Sequence, residues 1–239
     1  MKHFLSILLI IIPILIFGQN RHLTIGIKDN GICFGNSIRN NGVRFNLLDK
    51  NVEIVNGLNV AVSSKSKISN GLNLGLIWNE NSICNGIVLN GLAGESEKAN
   101  GIVISGLAYG TNKINGLGIG GLSIVADTLN GLCMSLFGIA YWNGQTVKLI
   151  NGVAVGGFVG SATEKFNGVS ISVFGNGIGE LNGVSIGMMN EIDELKGMTI
   201  GVVNRSKNTR GVQIGIWNIS ENNKIFKQMP IINFNFRKL

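Results

Sequence analysis

Aliphatic residues recur one, three and often five places after a glycine, with a small or polar residue at the second place and commonly another glycine at the fourth. Val184, Ile186 and Met188 alternate with Ser185 and Gly187, and Val212, Ile214 and Ile216 alternate with Gln213 and Gly215. Alternation with a period of two over six or seven residues, rich in β-branched side chains and preceded by an Asn-Gly turn signal, predicts strands and not helices. The pattern restarts at Gly42, Gly57, Gly71, Gly86, Gly101, Gly116, Gly131, Gly152, Gly168, Gly183, Gly197 and Gly211, at intervals of 15, 14, 15, 15, 15, 15, 21, 16, 15, 14 and 14 residues. These glycines serve below as anchors, from which positions are counted. The one long interval holds an insert around Ala140-Tyr141-Trp142-Asn143-Gly144. A second, weaker apolar mark precedes the next anchor, at Ile68, Ile83, Ile114, Leu129, Ile150, Phe166, Leu181 and Leu195. Most charged residues, among them Glu80, Glu95, Glu97, Glu164, Glu180, Glu191 and Asp193, fall between the strand and that mark, which makes this segment a solvated corner.

A strand every 15 residues fits two all-β architectures. In a repeat β-solenoid of about twelve coils of 14–16 residues, each unit is one coil stacked about 4.8 Å above the last. Asn side chains can then bond from coil to coil in ladders. In an antiparallel β-barrel of about twelve strands, each unit is one strand and a turn. Barrel turns alternate between two ends, so alternate units should differ in loop length. Consecutive units here do not alternate, and aromatics are only 7% of the chain, too few for interfacial girdles. The solenoid is therefore the expectation and the barrel the alternative. The expected organisation is a signal peptide at 1–18, a leader and cap at 19–41, the repeat domain at 42–220 with its insert near 138–150, and a capping strand at 221–239.

The address comes from the first residues. Lys2 and His3 precede a run from Phe4 to Phe17 that is apolar apart from Ser6 and Pro13. Fourteen residues are short for a membrane span, which needs about 20, and suit a secretory signal core. Cleavage after Gly18 would leave Gln19 first, an end that resembles the F-G-Q and F-A-Q ends of Bacteroidetes exported proteins. No Cys stands there for a lipid anchor. The expected location is the cell envelope, outer membrane or cell surface.

Composition narrows the chemistry. The 239 residues include 35 Gly, and 32 Asn can be counted along the chain, so two residue types supply more than a quarter of it. Hydrophobic residues still reach 45%, which excludes a disordered polar tract. The string Gly116-Leu117-Gly118-Ile119-Gly120-Gly121 matches a dinucleotide-binding fingerprint, but no helix follows it and no βαβ unit surrounds it. Asp29, Asp49, Asp127 and Asp193 occupy unrelated phases, against a calcium-binding repeat. The only His beyond the expected signal peptide is His22, before the repeats, and no Ser occupies a nucleophile elbow. Cys33, Cys84 and Cys133, odd in number and without C-x-x-C spacing, read as small apolar fillers at repeat positions. No cofactor and no metal is expected. The formal charge of +7 is spread without the dense stripe that nucleic acid requires; an anionic envelope surface is the more economical partner.

The units G-V-S-I-G-M-M-N at 183–190, G-M-T-I-G-V-V-N at 197–204 and G-V-Q-I-G-I-W-N-I at 211–219 resemble those of bacterial surface-repeat proteins of the leptospiral type, written G-[LV]-Q-I-G-L-[IV]-N. Gly42-Val43-Arg44-Phe45-Asn46 resembles the opening segment of such proteins, and Met229 to Phe236 their closing strand. The resemblance covers roughly residues 40–236. It implies an exported, surface-exposed protein with no assigned activity. The middle units depart from the pattern, with Ser105 or Ser135 at the fourth position and the Asn at the seventh often lost.

Aromatics are the remaining candidates for contact with a partner. Trp78 and Trp217 read as corner-packing residues, whereas Tyr109 and the insert pair Tyr141 and Trp142 are the candidate binding residues, since exposed aromatics stack on sugars or anchor partners. The expected function is a non-enzymatic exported surface protein, a scaffold or adhesion-like binding surface. Its expected partner is an envelope or extracellular one, a glycan or an anionic surface, with membrane association in keeping. An outer-membrane β-barrel is the alternative, followed by a carbohydrate-active enzyme on a β-helix.

Overall fold

The structure is a computed structural model that describes residues 22–139 and 147–236, without the side chains of 159–161. The expected signal peptide at 1–18 lies outside the described residues. The chain is an all-β solenoid of about 11 turns, without helix among the described residues. It divides into two compact units on either side of Tyr109 and Gly110.

In the first unit, β1 (His22–Ile27) and β2 (Asn30–Gly35) form an antiparallel hairpin. β2 then runs parallel to β3 (Arg39–Leu48), and β3 parallel to β4 (Val52–Asn90), a segment long enough to wind through successive coils. β4 pairs parallel with β5 (Ala93–Ser105). The register aligns anchor with anchor: Gly31 with Gly42, Gly42 with Gly57, and Gly86 with Gly101. The solenoid thus begins one rung before Gly42.

The second unit takes up the same register. β6 (Ala108–Gly120) leads into it, and β7 (Ser123–Ser135) is continued by the short β8 (Gly138–Ile139). Next come β9 (Val147–Gly156), β10 (Val159–Ser172), β11 (Gly175–Ile186) and β12 (Met189–Ser220). Gly131 aligns with Gly152, Gly152 with Gly168, Gly168 with Gly183 and Gly183 with Gly197, all in parallel. Ile139 pairs with Ile124, and in β9 the register continues with Thr128 opposite Leu149. β13 (Gln228–Asn235) folds back antiparallel on the last coil and covers the edge of residues 211–219. These parallel, in-register pairs exclude the antiparallel barrel, in which neighbouring strands would be joined by hairpins.

Stacked anchors explain the invariant glycine of the repeat. Gly183 has φ +146°, and a Cβ built there would collide with the carbonyl oxygen of Gly168 one coil below. Only glycine tolerates both the conformation and the approach.

The alternating pattern defines two faces, and the inner one is the face of small and polar residues. At the second position Asn59, Asn73, Val88, Val103, Cys133, Ala154, Ser170, Ser185, Thr199 and Gln213 are all buried. Two walls of sheet drawn from one 15-residue coil leave a thin interior, filled by small side chains and by amides that satisfy one another. Large side chains enter it in the other half of the coil, Ile124, Ile178 and Ile192 among them. Ile114, Leu129, Ile150, Phe166, Leu181 and Leu195, two residues before their anchors, are at most 1% exposed, so this part of the weaker apolar mark is core, whereas Ile68 and Ile83, three residues before theirs, are half-buried. Burying each core side chain is worth about 1.5–3 kcal/mol.

Two sets of Asn ladders cross the rungs. Along the residue before each anchor, Asn56 donates to Asn41 (2.6 Å), Asn70 to Asn56 (2.7 Å), Asn85 to Asn70 (2.8 Å) and Asn100 to Asn85 (2.7 Å) in the first unit. Asn130, Asn151, Asn167 and Asn182 repeat the arrangement in the second, each donating to the Asn below at 2.7–2.9 Å. The inner ladder at the coil bend runs from Asn176 through Asn190 and Asn204 to Asn218 at 2.8–3.1 Å.

Candidate binding surface

What the alternation turns outward is apolar without exception. The first and third positions after the anchors Gly31 to Gly101 in the first unit, and after Gly116 to Gly211 in the second, are occupied only by Val, Ile, Leu, Met and Phe. None of these side chains is fully buried; Phe45, Ile87, Ile104, Met134 and Ile171 are 37–40% exposed. The same band continues round the next bend, where Leu76, Leu92 and Leu107 in the first unit and Leu122, Phe137, Phe158, Phe174 and Met189 in the second are 40–63% exposed. Phe137, Phe158 and Phe174 stack along the coil axis, with ring centroids 5.3 and 5.9 Å apart and planes within 19°. Trp217 stands in this row and Trp78, opposite Ala93, one residue past it; they are 43% and 37% exposed, so their expected packing at the coil corners is only partial.

Charge is confined to the other half of each coil. From Gly57 to Gly211 every Asp, Glu, Lys and Arg lies at least eight residues after its anchor. Ion pairs there join successive rungs: Lys65 to Glu80 (2.5 Å), Lys67 to Glu53 (3.4 Å), Lys165 to Glu180 (3.0 Å), Lys207 to Asp193 (2.7 Å) and Arg205 to Glu221 (2.9 Å). Glu180 also accepts from Lys196 (2.8 Å), and hydrogen bonds from Lys196 and Lys165 lower its carboxyl to about 2. Exposed pairs of this kind contribute little stability each, and they set the chemical character of the surface.

One charged pair is buried. Both terminal nitrogens of the Arg44 guanidinium donate to the Asp49 carboxylate, at 2.8 and 2.9 Å, and Asn36, Asn46 and Asn59 extend the network. Both side chains are fully buried. The arrangement satisfies charge with charge and has the form of a structural plug at the start of the stack.

Tyr109 is a core residue. It is fully buried, with its hydroxyl 3.9 Å from Cys84 Sγ, and its ring face is closed to a ligand from solvent. At the eighth position it points inward, where Trp78, at the seventh, points out. Tyr141 and Trp142 lie outside the described residues. The three cysteines are buried and free, at inward positions of the repeat. Burial pushes the Cys84 thiol up to about 11 and the Cys133 thiol to about 12. Among the described residues no three His, Cys, Asp or Glu side chains gather as a metal site. An open apolar groove of about 450 Å³ lies at the C-terminal cap, lined by Ile225, Phe226, Met229, Ile232, Phe234 and Phe236.

The fold and this surface define a β-solenoid with one apolar and one charged side. Comparison with known proteins returned no matching family, no curated relative and no solved structure. Sequence alternation was enough to find the apolar positions, but not to show that they face outward.

Proposed function

We propose that the protein is a non-enzymatic, exported envelope protein, a rigid scaffold whose apolar side is its binding surface. The observation that carries this reading is the separation within the coils from Gly57 to Gly211: two outward positions that are never polar, and charge restricted to the opposite half. Selection for solubility alone would place polar residues on any exposed sheet face, and an apolar patch extended over successive rungs marks an interaction surface. The signal-like run from Phe4 to Phe17 supports export, and the self-paired Asn ladders and thin interior support a rigid, repetitive part over a catalytic one. The buried thiols and the inward Tyr109 are held in the core, away from any substrate.

Fractionation of cells producing the chain tests the reading. The expected result is a mature protein beginning at Gln19, recovered with the envelope and cut by protease added to intact cells. An unprocessed protein in the soluble cell interior would overturn it.

A further inference from the structure

Resting on the reading of the apolar side as the binding surface, we propose that its occupant is lipid: the solenoid lies on a membrane with its apolar side at the boundary between headgroups and acyl chains. In the second unit seven rungs at about 4.8 Å, and a width of about five residues, make a plate of roughly 500 Å², as large as the largest apolar patch of ordinary monomers. The strength of interfacial binding grows with the apolar area that is buried.

Three features favour lipid over a protein partner. Protein interfaces carry about one hydrogen bond per 100–200 Å² and a polar residue or two that fix register. This plate has no polar side chain at its first and third positions, so nothing in it would stop a partner sheet from slipping by a rung. A fluid layer needs no register. Second, charge is where a surface-lying protein needs it: Glu191, Asp193, Arg205 and Lys207 stand on the opposite half of the coil, in water when the plate is buried. Third, Trp217 borders the plate at the bend, where an amphipathic ring sits at headgroup level.

Because no cation belongs to the plate, this attachment differs from binding to an anionic surface through lysines. It should be indifferent to lipid charge and to salt.

The test uses the full chain carrying W78F and W142F, so that Trp217 is the only indole, mixed with phosphatidylcholine vesicles whose acyl chains are brominated. The expected result is quenching of Trp217 that persists in 0.5 M salt. The pair Ile171→Lys and Val184→Lys, on the plate, should weaken it at least tenfold. The pair Ala162→Lys and Gly177→Lys, which adds the same charge to the opposite half, should leave it within twofold. Circular dichroism melts keep folding apart from binding. An unquenched Trp217, equal losses in both pairs, or a dimer that the plate pair dissociates while vesicles have no effect would overturn the proposal. Recovery of the chain in the envelope without vesicle binding would leave the scaffold reading intact and remove only lipid as its occupant.

Discussion

Asn190 donates from Nδ2 to the carbonyl of Gly187, three residues back in its own coil, and to Oδ1 of Asn204 in the coil above at 2.8 Å. This pairing explains the spacing G-x-x-N in the repeat. A Cβ at Gly187 would stand 2.9 Å from Ser172 Oγ and 3.1 Å from Asn176 Nδ2, so the glycine leaves the bend open for the amides. Asn218 repeats the contact with Gly215, at 2.9 Å.

Removing an inner rung of this ladder should be costly and removing an outer one mild. Asn204→Ala takes an acceptor from Asn190 Nδ2 and the donor from Asn218 Oδ1 and the carbonyl of Ile214, at a cost of about 2 kcal/mol. Asn85→Ala, on the exposed ladder, should cost less than about 1 kcal/mol, because water replaces the lost partner. Urea unfolding of the two variants measures the difference.

Glycine at an anchor should be irreplaceable, whereas Gly177 should be free to change. Gly183→Ala meets both a φ of +146° and the carbonyl of Gly168, and should cost at least about 2 kcal/mol or prevent folding. Gly177→Ala has open space around its Cβ and should be neutral or stabilise by up to about 1 kcal/mol. Thermal melts of the pair decide this.

Breaking the buried ion pair from one side should hurt more than removing it whole. Arg44→Met leaves the Asp49 carboxylate buried without its partner, at about 3–5 kcal/mol. Adding Asp49→Leu should recover much of that loss. If the double variant is no more stable than the single one, the pair is not an isolated plug but part of a network that the Asn residues cannot close alone.

The Glu180 cluster makes a small, pH-dependent contribution. Because Lys196 and Lys165 hold its folded carboxyl down to about 2, the stabilisation is present above the ordinary carboxylate value near 4.5 and is lost as pH falls toward 2. The stability gap between wild type and Glu180→Gln should therefore close over that window, and should shrink in 1 M salt at neutral pH, since these groups are solvated.

Thiol accessibility offers a folding probe. With Cys84 at about 11, roughly one thiol in a thousand is ionised at pH 8, and burial shields it further. A thiol reagent should label the native protein only at the rate of its opening, and all three cysteines at once in urea.

Strand period and register were legible because each coil repeats the same task, so anchors separated by 14–16 residues must stack. The inner face was not. Alternation of Ile with Ser or Gly reads the same whichever side is inside, and the thin interior reverses the usual assignment: Ser185 is buried while Val184 and Ile186 are part-exposed. The mark at Leu181 and Leu195 was visible and supplies part of the core, beside Ile178 and Ile192, but outward aliphatics outnumber it in each coil. In the sequence Tyr109 has the look of a contact residue because aromatics in a glycine-rich repeat stand out. One position separates its inward direction from the outward one of Trp78, and a bend in the chain, not residue type, sets that phase.

In-register stacking gives the gene a unit of change. Loss or duplication of one whole repeat leaves every remaining anchor above another anchor and alters only the number of rungs. Loss of a single residue within a strand turns every later side chain of that strand to the wrong side. The anchors stay aligned across intervals of 14 and 16 residues, and Gly131 still aligns with Gly152 across an interval of 21, six residues more than a coil of 15. Variation in this protein is thus quantised: lengths drift at the bends, and the strands change by whole copies or by exchange of like for like.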